Sequence, residues 1–186
     1  MTDLKPNKGK LLIAEPALTG DVSFNRSVVL LAEHNDEGSV GFILNKPLEY
    51  FINDLISEIS IPFQVYNGGP VEQDNLYFIH RVPHLIENSI EISDGIYWGG
   101  DFEVVRKMVE NNEVDSSNIR FFAGYSGWDE GQLLKEIREN SWITVPADKE
   151  SCMKLSSNKE LWSSFIKKMD AKYAIWTNLP ADPFLN

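Results

Sequence analysis

The longest unbroken apolar run, Val28 to Ala32, leads through the polar turn Asn35-Asp36-Glu37-Gly38 into a second strand-like stretch at 39–44. A short run rich in β-branched residues reads as a strand covered on both faces. It is far too short for the roughly 20 residues that a membrane-spanning helix needs. The turn sends the chain back on itself, so 27–32 and 39–44 are expected to pair as a β-hairpin.

Other elements follow from periodicity and punctuation. Strands are expected at 10–14, 63–66, 76–80, 96–98, 119–124 and 142–145, and helices at 102–110, 132–139 and 159–169. Phe51, Ile52, Leu55, Ile56 and Ile59 repeat at helical spacing, which predicts one apolar-striped helix there. Asp101 is placed to cap the helix at 102, and Ser157 with Glu160 has capping-box spacing for the last one. Strands cluster early and alternate with helices later, an α+β pattern around a mixed sheet and not a doubly wound parallel one. No repeat or linker interrupts the 186 residues, so one domain over 1–186 is expected, with 1–8 and 180–186 as extended tails.

Charge restricts function. The chain carries 17 Lys+Arg against 28 Asp+Glu, a formal net charge of −11. Such a surface repels a phosphate backbone, so direct nucleic-acid binding is disfavoured. The mildly basic Lys154 to Lys172 segment is the weak exception. No secretory signal is visible at the N-terminus, and a lone Cys152 forms no internal disulfide. Both features point to the cytoplasm, with no membrane association.

Catalytic patterns are sparse. Gly124-Tyr125-Ser126-Gly127-Trp128 follows a predicted strand and resembles the turn of a nucleophile elbow, but a tryptophan stands where G-x-S-x-G has its last glycine. Ser126 and Asp129 also have S-x-x-D spacing before the helix at 132, so a helix cap is the expected role. A nucleophilic Ser126 would need His34, His80 or His84 as base, and nothing in the sequence selects one. His80 and His84 are four apart, but Pro83 between them breaks the helical geometry of a metal pair. They read as a strand-end histidine and a turn histidine. Gly68-Gly69-Pro70 lacks the frame of a phosphate loop and reads as a turn. Neither a metal nor a cofactor is expected.

Several segments together resemble one bacterial family, AlgH/YqgE. They are 9–16 (GKLLIAEP), 24–29 (FNRSVV), 41–47 (GFILNKP), 68–71 (GGPV) and 124–128 (GYSGW), then Gly131-Gln132-Leu133, Glu136-Ile137 and Trp142. The resemblance covers roughly residues 9 to 145. It implies an α+β fold containing a small closed β-barrel flanked by helices, and a proposed role in transcriptional regulation, first attached to alginate synthesis. Genes of the family often neighbour one for a Holliday-junction resolvase-like protein. Ser126 stands where the family usually has alanine, and Gly99-Gly100-Asp101 replaces a more hydroxyl-rich stretch.

The expectation is therefore a non-enzymatic regulatory or binding protein that acts through a protein partner, or through a small-molecule ligand. Its candidate contact residues are Asn45, Lys46, Pro47, Gly68, Gly69, Pro70, Gly124, Trp128 and Gln132. The competing expectation is a small-molecule hydrolase using Ser126 with a histidine.

Overall fold

The computed structural model describes residues 5–16, 22–153, 158–169 and 177–178. Its ten strands form one branched sheet. The main path begins at β10 (Trp142–Pro146) and passes to β1 (Lys10–Ala14), β2 (Val28–Asn35) and β3 (Gly38–Ile43). It continues through β9 (Ile119–Asp129), β6 (Val71–His80) and β8 (Ile96–Trp98) to β7 (Ile90–Ser93). A branch leaves β9 through β5 (Gln64–Asn67), which runs parallel to it, to β4 (Pro47–Phe51).

The expected hairpin is β2–β3. Asn35 Oδ1 accepts from the backbone N–H of Glu37 (2.8 Å) and of Gly38 (3.2 Å), closing a tight turn over Asp36 and Glu37. The register then sets Asn35 opposite Gly38 and His34 opposite Ser39. Side chains alternate across a strand, and here both faces are covered. Leu11, Ile13, Leu30 and Phe42 enter one core with Trp162 and Ile166 of the helix Asn158–Lys168. Leu12, Val29, Leu31 and Ile43 enter another with Leu133 and Ile137 of the helix Gln132–Arg138. A third core lies under the helix Phe102–Glu110, where Val105, Met108 and Val109 meet Phe78, Ile119 and Phe121. Asp101 caps that helix as expected, accepting from Glu103 N at 2.9 Å.

In chain order the helices are α1 (Ile52–Leu55), α2 (Phe102–Glu110), α3 (Gln132–Arg138), α4 (Lys149–Met153) and α5 (Asn158–Lys168). The α+β mixed sheet is as expected, but the closed barrel is not: the terminal strands β10 and β7 do not pair, and the sheet stays open. Branching at β9 and helices on both faces bury the strands without closure. The expected helix at 51–59 is also corrected. Only Ile52–Leu55 is helical, because Ile56 turns extended (φ −127°, ψ 105°) and Phe51 ends a strand. Ile52 and Ile59 still reach the same core, while Phe51 and Leu55 stay exposed. Ser157 and the segment from 180 lie outside the described residues.

β9 is the hub of the sheet. One edge pairs with β6. The other pairs first with β5 and then, from Ser126 onward, with β3. Gly68 stands at that handover, donating to Ala123 O (2.9 Å) and accepting from Ile43 N (3.0 Å). A Cβ on Gly68 would lie 2.1 Å from Gly124 O, so only glycine fits.

Candidate functional site

Most of the residues singled out from sequence meet around this hub, and they are used to join strands. Asn45 is fully buried; its Oδ1 accepts from Val28 N (2.8 Å) and its Nδ2 donates to Arg26 O (2.9 Å). Lys46 Nζ donates to the carbonyls of Ser23 and Val22. Pro47 is exposed at the start of β4, and Pro70 is exposed between β5 and β6. Gly68, Gly69 and Gly124 form a knot of close backbone approach, where a Cβ on Gly124 would meet Val71 O at 2.6 Å.

Ser126 does not cap α3. It sits inside β9 with no exposed surface, and its Oγ donates to Gly68 O at 3.0 Å. The cap position of α3 is taken by Gly131 in the left-handed region (φ 70°), and Gln132 Oε1 accepts from Asp129 N. The S-x-x-D spacing fails as a cap because β9 runs on to Asp129 before the chain turns.

Trp128 and Gln132 belong to a polar–aromatic cluster that ties α3 to β9 and β10. Trp128 stacks on Phe24 (5.8 Å), and Trp142 meets both edge-on. The indole N–H groups of Trp128 (2.9 Å) and Trp142 (2.8 Å) both donate to Glu136 Oε2, while Gln132 Nε2 donates to Oε1 (2.9 Å). Gln132 and Glu136 are one helical turn apart and share a face of α3. A small pocket of about 240 Å³ opens over this cluster.

A larger cavity, of about 630 Å³, lies on the other side of α3's first turn. Its apolar wall is Pro6, Leu133 and Leu134, and its polar wall includes His34 and Ser39, with Arg138 also lining it. His34 Nδ1 and Ser39 Oγ are 2.7 Å apart. Alternation along β2 and β3 puts Glu33 and Val40 on the opposite face, where a second groove of about 400 Å³ is lined by Glu33, Glu37, Tyr125 and Asp129. The hairpin tip thus lies between the two, with Asn35, Gly38, Ser39 and Asp129 lining both.

His80 is fully buried at the end of β6, and His84 is exposed in the following turn, as their sequence context implied. No three of His, Cys, Asp and Glu come together as a metal site among the described residues. Cys152 is buried and free, and burial pushes its thiol up to about 12. Arg120, buried in the sheet, donates to Leu44 O (2.6 Å) and Cys152 O (2.7 Å) and lies 4.1 Å over the Tyr66 ring. Burial lowers its pKa.

Open branched sheet, glycine knot and flanking cavity define an α+β protein with a cleft beside α3. The family model described as AlgH-like (DUF179) matches residues 11–174. A UPF0301 protein of Cytophaga hutchinsonii is 42% identical over 181 residues, covering 96% of this chain and 98% of its own. A UPF0301 protein of Bacteroides fragilis is 39% identical, covering 99% and 93%. The chain belongs to the AlgH-like family. Among solved structures, AlgH of Pseudomonas aeruginosa aligns with a TM-score of 0.71 at 25% identity, over 93% of this chain and 94% of that one. A Corynebacterium diphtheriae protein, DIP2367, aligns with a TM-score of 0.74 at 22% identity, over 94% and 93%, a likeness of fold.

The sequence offers His34 as a base for Ser126, whereas the fold sets it beside Ser39. Leu134, Arg138 and Glu136 are not among the contacts expected from sequence.

Proposed function

We propose that this protein is a regulatory binding protein whose partner or small ligand occupies the cleft between the β2–β3 tip and α3. The observation that carries this reading is the cavity itself: about 630 Å³, with an apolar wall from α3 and a polar wall from His34 and Ser39. Concave sites with a largely apolar lining and a few convergent polar groups are where ligands and anchoring side chains bind. The formal charge of −11 favours action through a protein or small molecule over direct grip on DNA. Trp128 and Gln132 flank the neighbouring pocket, and Asn45, Lys46 and the glycine knot support the scaffold behind it.

The test is a tagged, nuclease-treated pull-down from native cells, comparing wild type with Leu134→Asp. Leu134 is half-buried on the cavity wall. A stoichiometric partner that is lost from the variant, with its melting temperature unchanged, is the expected result. Tight binding of duplex DNA at physiological salt, with a steep salt slope, would overturn the reading.

A second reading, hydrolysis of a small acyl or phosphate substrate, has one observation in its favour: the 2.7 Å contact between His34 Nδ1 and Ser39 Oγ on the cavity wall. Serine beside histidine is the core of an activated nucleophile. This moves the candidate serine from Ser126, which is buried against Gly68 O, to Ser39. A fluorophosphonate probe would then label wild type and Ser126→Ala but spare Ser39→Ala. Equal labelling of all three, or none at all, removes the second reading.

A further inference from the structure

The β7–β8 hairpin is an arm attached to the rest of the sheet by a short junction. β8 pairs with β6 at only two register positions, Ile79 with Trp98 and His80 with Tyr97. The chain leaves the arm through Gly99 and Gly100, both at positive φ (68° and 110°), and the arm's own turn holds Asp94 and Gly95, also at positive φ. On its inner side Ile92, Ile96 and Trp98 pack into the core shared with Phe42 and Trp162. Exposed groups tie down its outer side: Lys149 Nζ lies 3.5 Å from Asp94 Oδ1, and Lys8 Nζ donates to Glu91 O at 2.8 Å.

His80 sits in one of those two junction pairs, with no exposed surface. Its Nδ1 accepts from Val82 N (3.3 Å), and its Nε2 has no hydrogen-bond partner. The ring stacks on Tyr97 at 5.9 Å and lies 5.9 Å from Phe78. Because Nδ1 accepts from Val82 N, the neutral ring carries its proton on Nε2, and a second proton would have to sit on Nδ1, away from water and against that N–H donor.

Among the described residues no carboxylate bonds to the ring; Glu91, in the same register row beyond Tyr97, is exposed. β8 presents the Tyr97 phenol. The neighbouring β9 position opposite is Ile119, while Arg120 lies on the other face over Tyr66. α2 turns Val105, Met108 and Val109 inward; its Arg106 bonds to Glu103 and Glu110, and Glu103 and Lys107 are exposed. Arg81, His84 and Asp101, on the segments either side of the junction, are exposed. Burial pulls the His80 pKa down to about 4, with the Gly99 backbone acting in the opposite, smaller sense.

We propose that the β7–β8 arm is an acid-released flap, in which His80 accepts a proton only when the arm lifts from β6, exposing Ile92, Ile96 and Trp98. The closed arm excludes the proton because Tyr97 and the α2 core seal the ring. The open arm admits it once the two register pairs, the Gly99 N–Phe78 O bond and the two exposed tethers part and Ile92, Ile96 and Trp98 leave the core, with the glycines at the exit absorbing the rotation. Acid therefore raises the population of the lifted arm, with its apolar strand pair exposed, while the rest of the sheet stays paired.

Amide hydrogen exchange of the full chain, corrected for intrinsic rates, tests this at pH 7 and pH 5. A group with pKa about 4 when closed and 6.5 when open predicts that arm protection falls about twentyfold between those values. Amides of β1 and β2 are expected to hold, and His80→Gln, which cannot be protonated, is expected to abolish the loss. Unchanged arm protection in wild type, the same loss in His80→Gln, or an equal loss throughout β1 and β2 would each overturn the proposal. If His80→Gln does not fold, the wild-type imidazole resonances decide: titration near 6.5 with the arm still protected would overturn it, and a neutral ring down to about 4 in the closed form is the expected result.

Discussion

Glu136 does the work of three separate contacts, taking two indole N–H groups on one oxygen and an amide on the other. Charge-assisted hydrogen bonds are stronger than neutral ones, and donors left unpaired in a half-buried cluster cost most. Glu136→Ala is therefore expected to cost about 2–3 kcal/mol, read from urea denaturation, with an altered Trp128 and Trp142 emission. A loss under about 0.5 kcal/mol would place the hold on α3 elsewhere. Cys152 makes the complementary case: fully buried, with its thiol pushed up to about 12, it is expected to resist a thiol reagent at pH 8 until the protein unfolds. Labelling of the folded protein at the rate of a free thiol would contradict that burial. Residue-scale features of this kind were partly legible in the sequence. Glu136 and Trp142 stand in recognisable motifs, but which donors converge on one carboxylate depends on how α3 lies across β9 and β10, consecutive in sequence but not neighbours in the sheet.

Elements were legible where one periodicity acted alone. The hairpin at β2–β3, the strand β1 and the helix α2 follow directly from apolar runs, turn residues and a capping aspartate. β4 and α1 did not, because the spacing of Phe51, Ile52, Leu55, Ile56 and Ile59 fits a helix while tertiary pairing with β5 draws Phe51 into a strand. The cleft was legible in principle. A two-residue turn at Asp36–Glu37 fixes Asn35 opposite Gly38 and hence His34 opposite Ser39, so register alone joins them. Ser126 misled because the strand-to-helix transition comes later than its motif suggests. At this scale the handover at β9 gives the sharpest prediction. Gly68→Ala sets a methyl group 2.1 Å from a backbone oxygen and is expected to prevent folding, or to lower the melting temperature by more than about 10 °C. Gly131→Ala meets open space and carries only the positive-φ penalty, about 1 kcal/mol. Equal melting of the two variants would show that the handover is not the tight point of the sheet.

Across the whole molecule, stability depends on pH through groups whose proton affinity folding changes. His80 is the clearest. Its folded value of about 4 lies below the ordinary 6.5, so between these values the unfolded chain holds a proton that the folded chain refuses. The contribution is fully present above 6.5 and is lost as pH falls toward 4, by about 3 kcal/mol in all. Urea denaturation from pH 7 to pH 4 should show that loss in wild type and a shallower one in His80→Gln. The open sheet, covered on both faces, could not be told from a closed barrel by composition or periodicity, since both bury strands on two sides. No helix among the described residues is long and apolar enough to cross a membrane.

The Gly, Pro and Asn motifs build the scaffold, and the proposed function puts binding in the cleft beside α3. Partner recovery in the nuclease-treated pull-down, compared between wild type and Leu134→Asp at equal melting temperature, tests it most directly. Loss of the partner from the variant is the predicted result. Undiminished recovery would exclude the cleft and favour the groove lined by Glu33, Glu37 and Asp129.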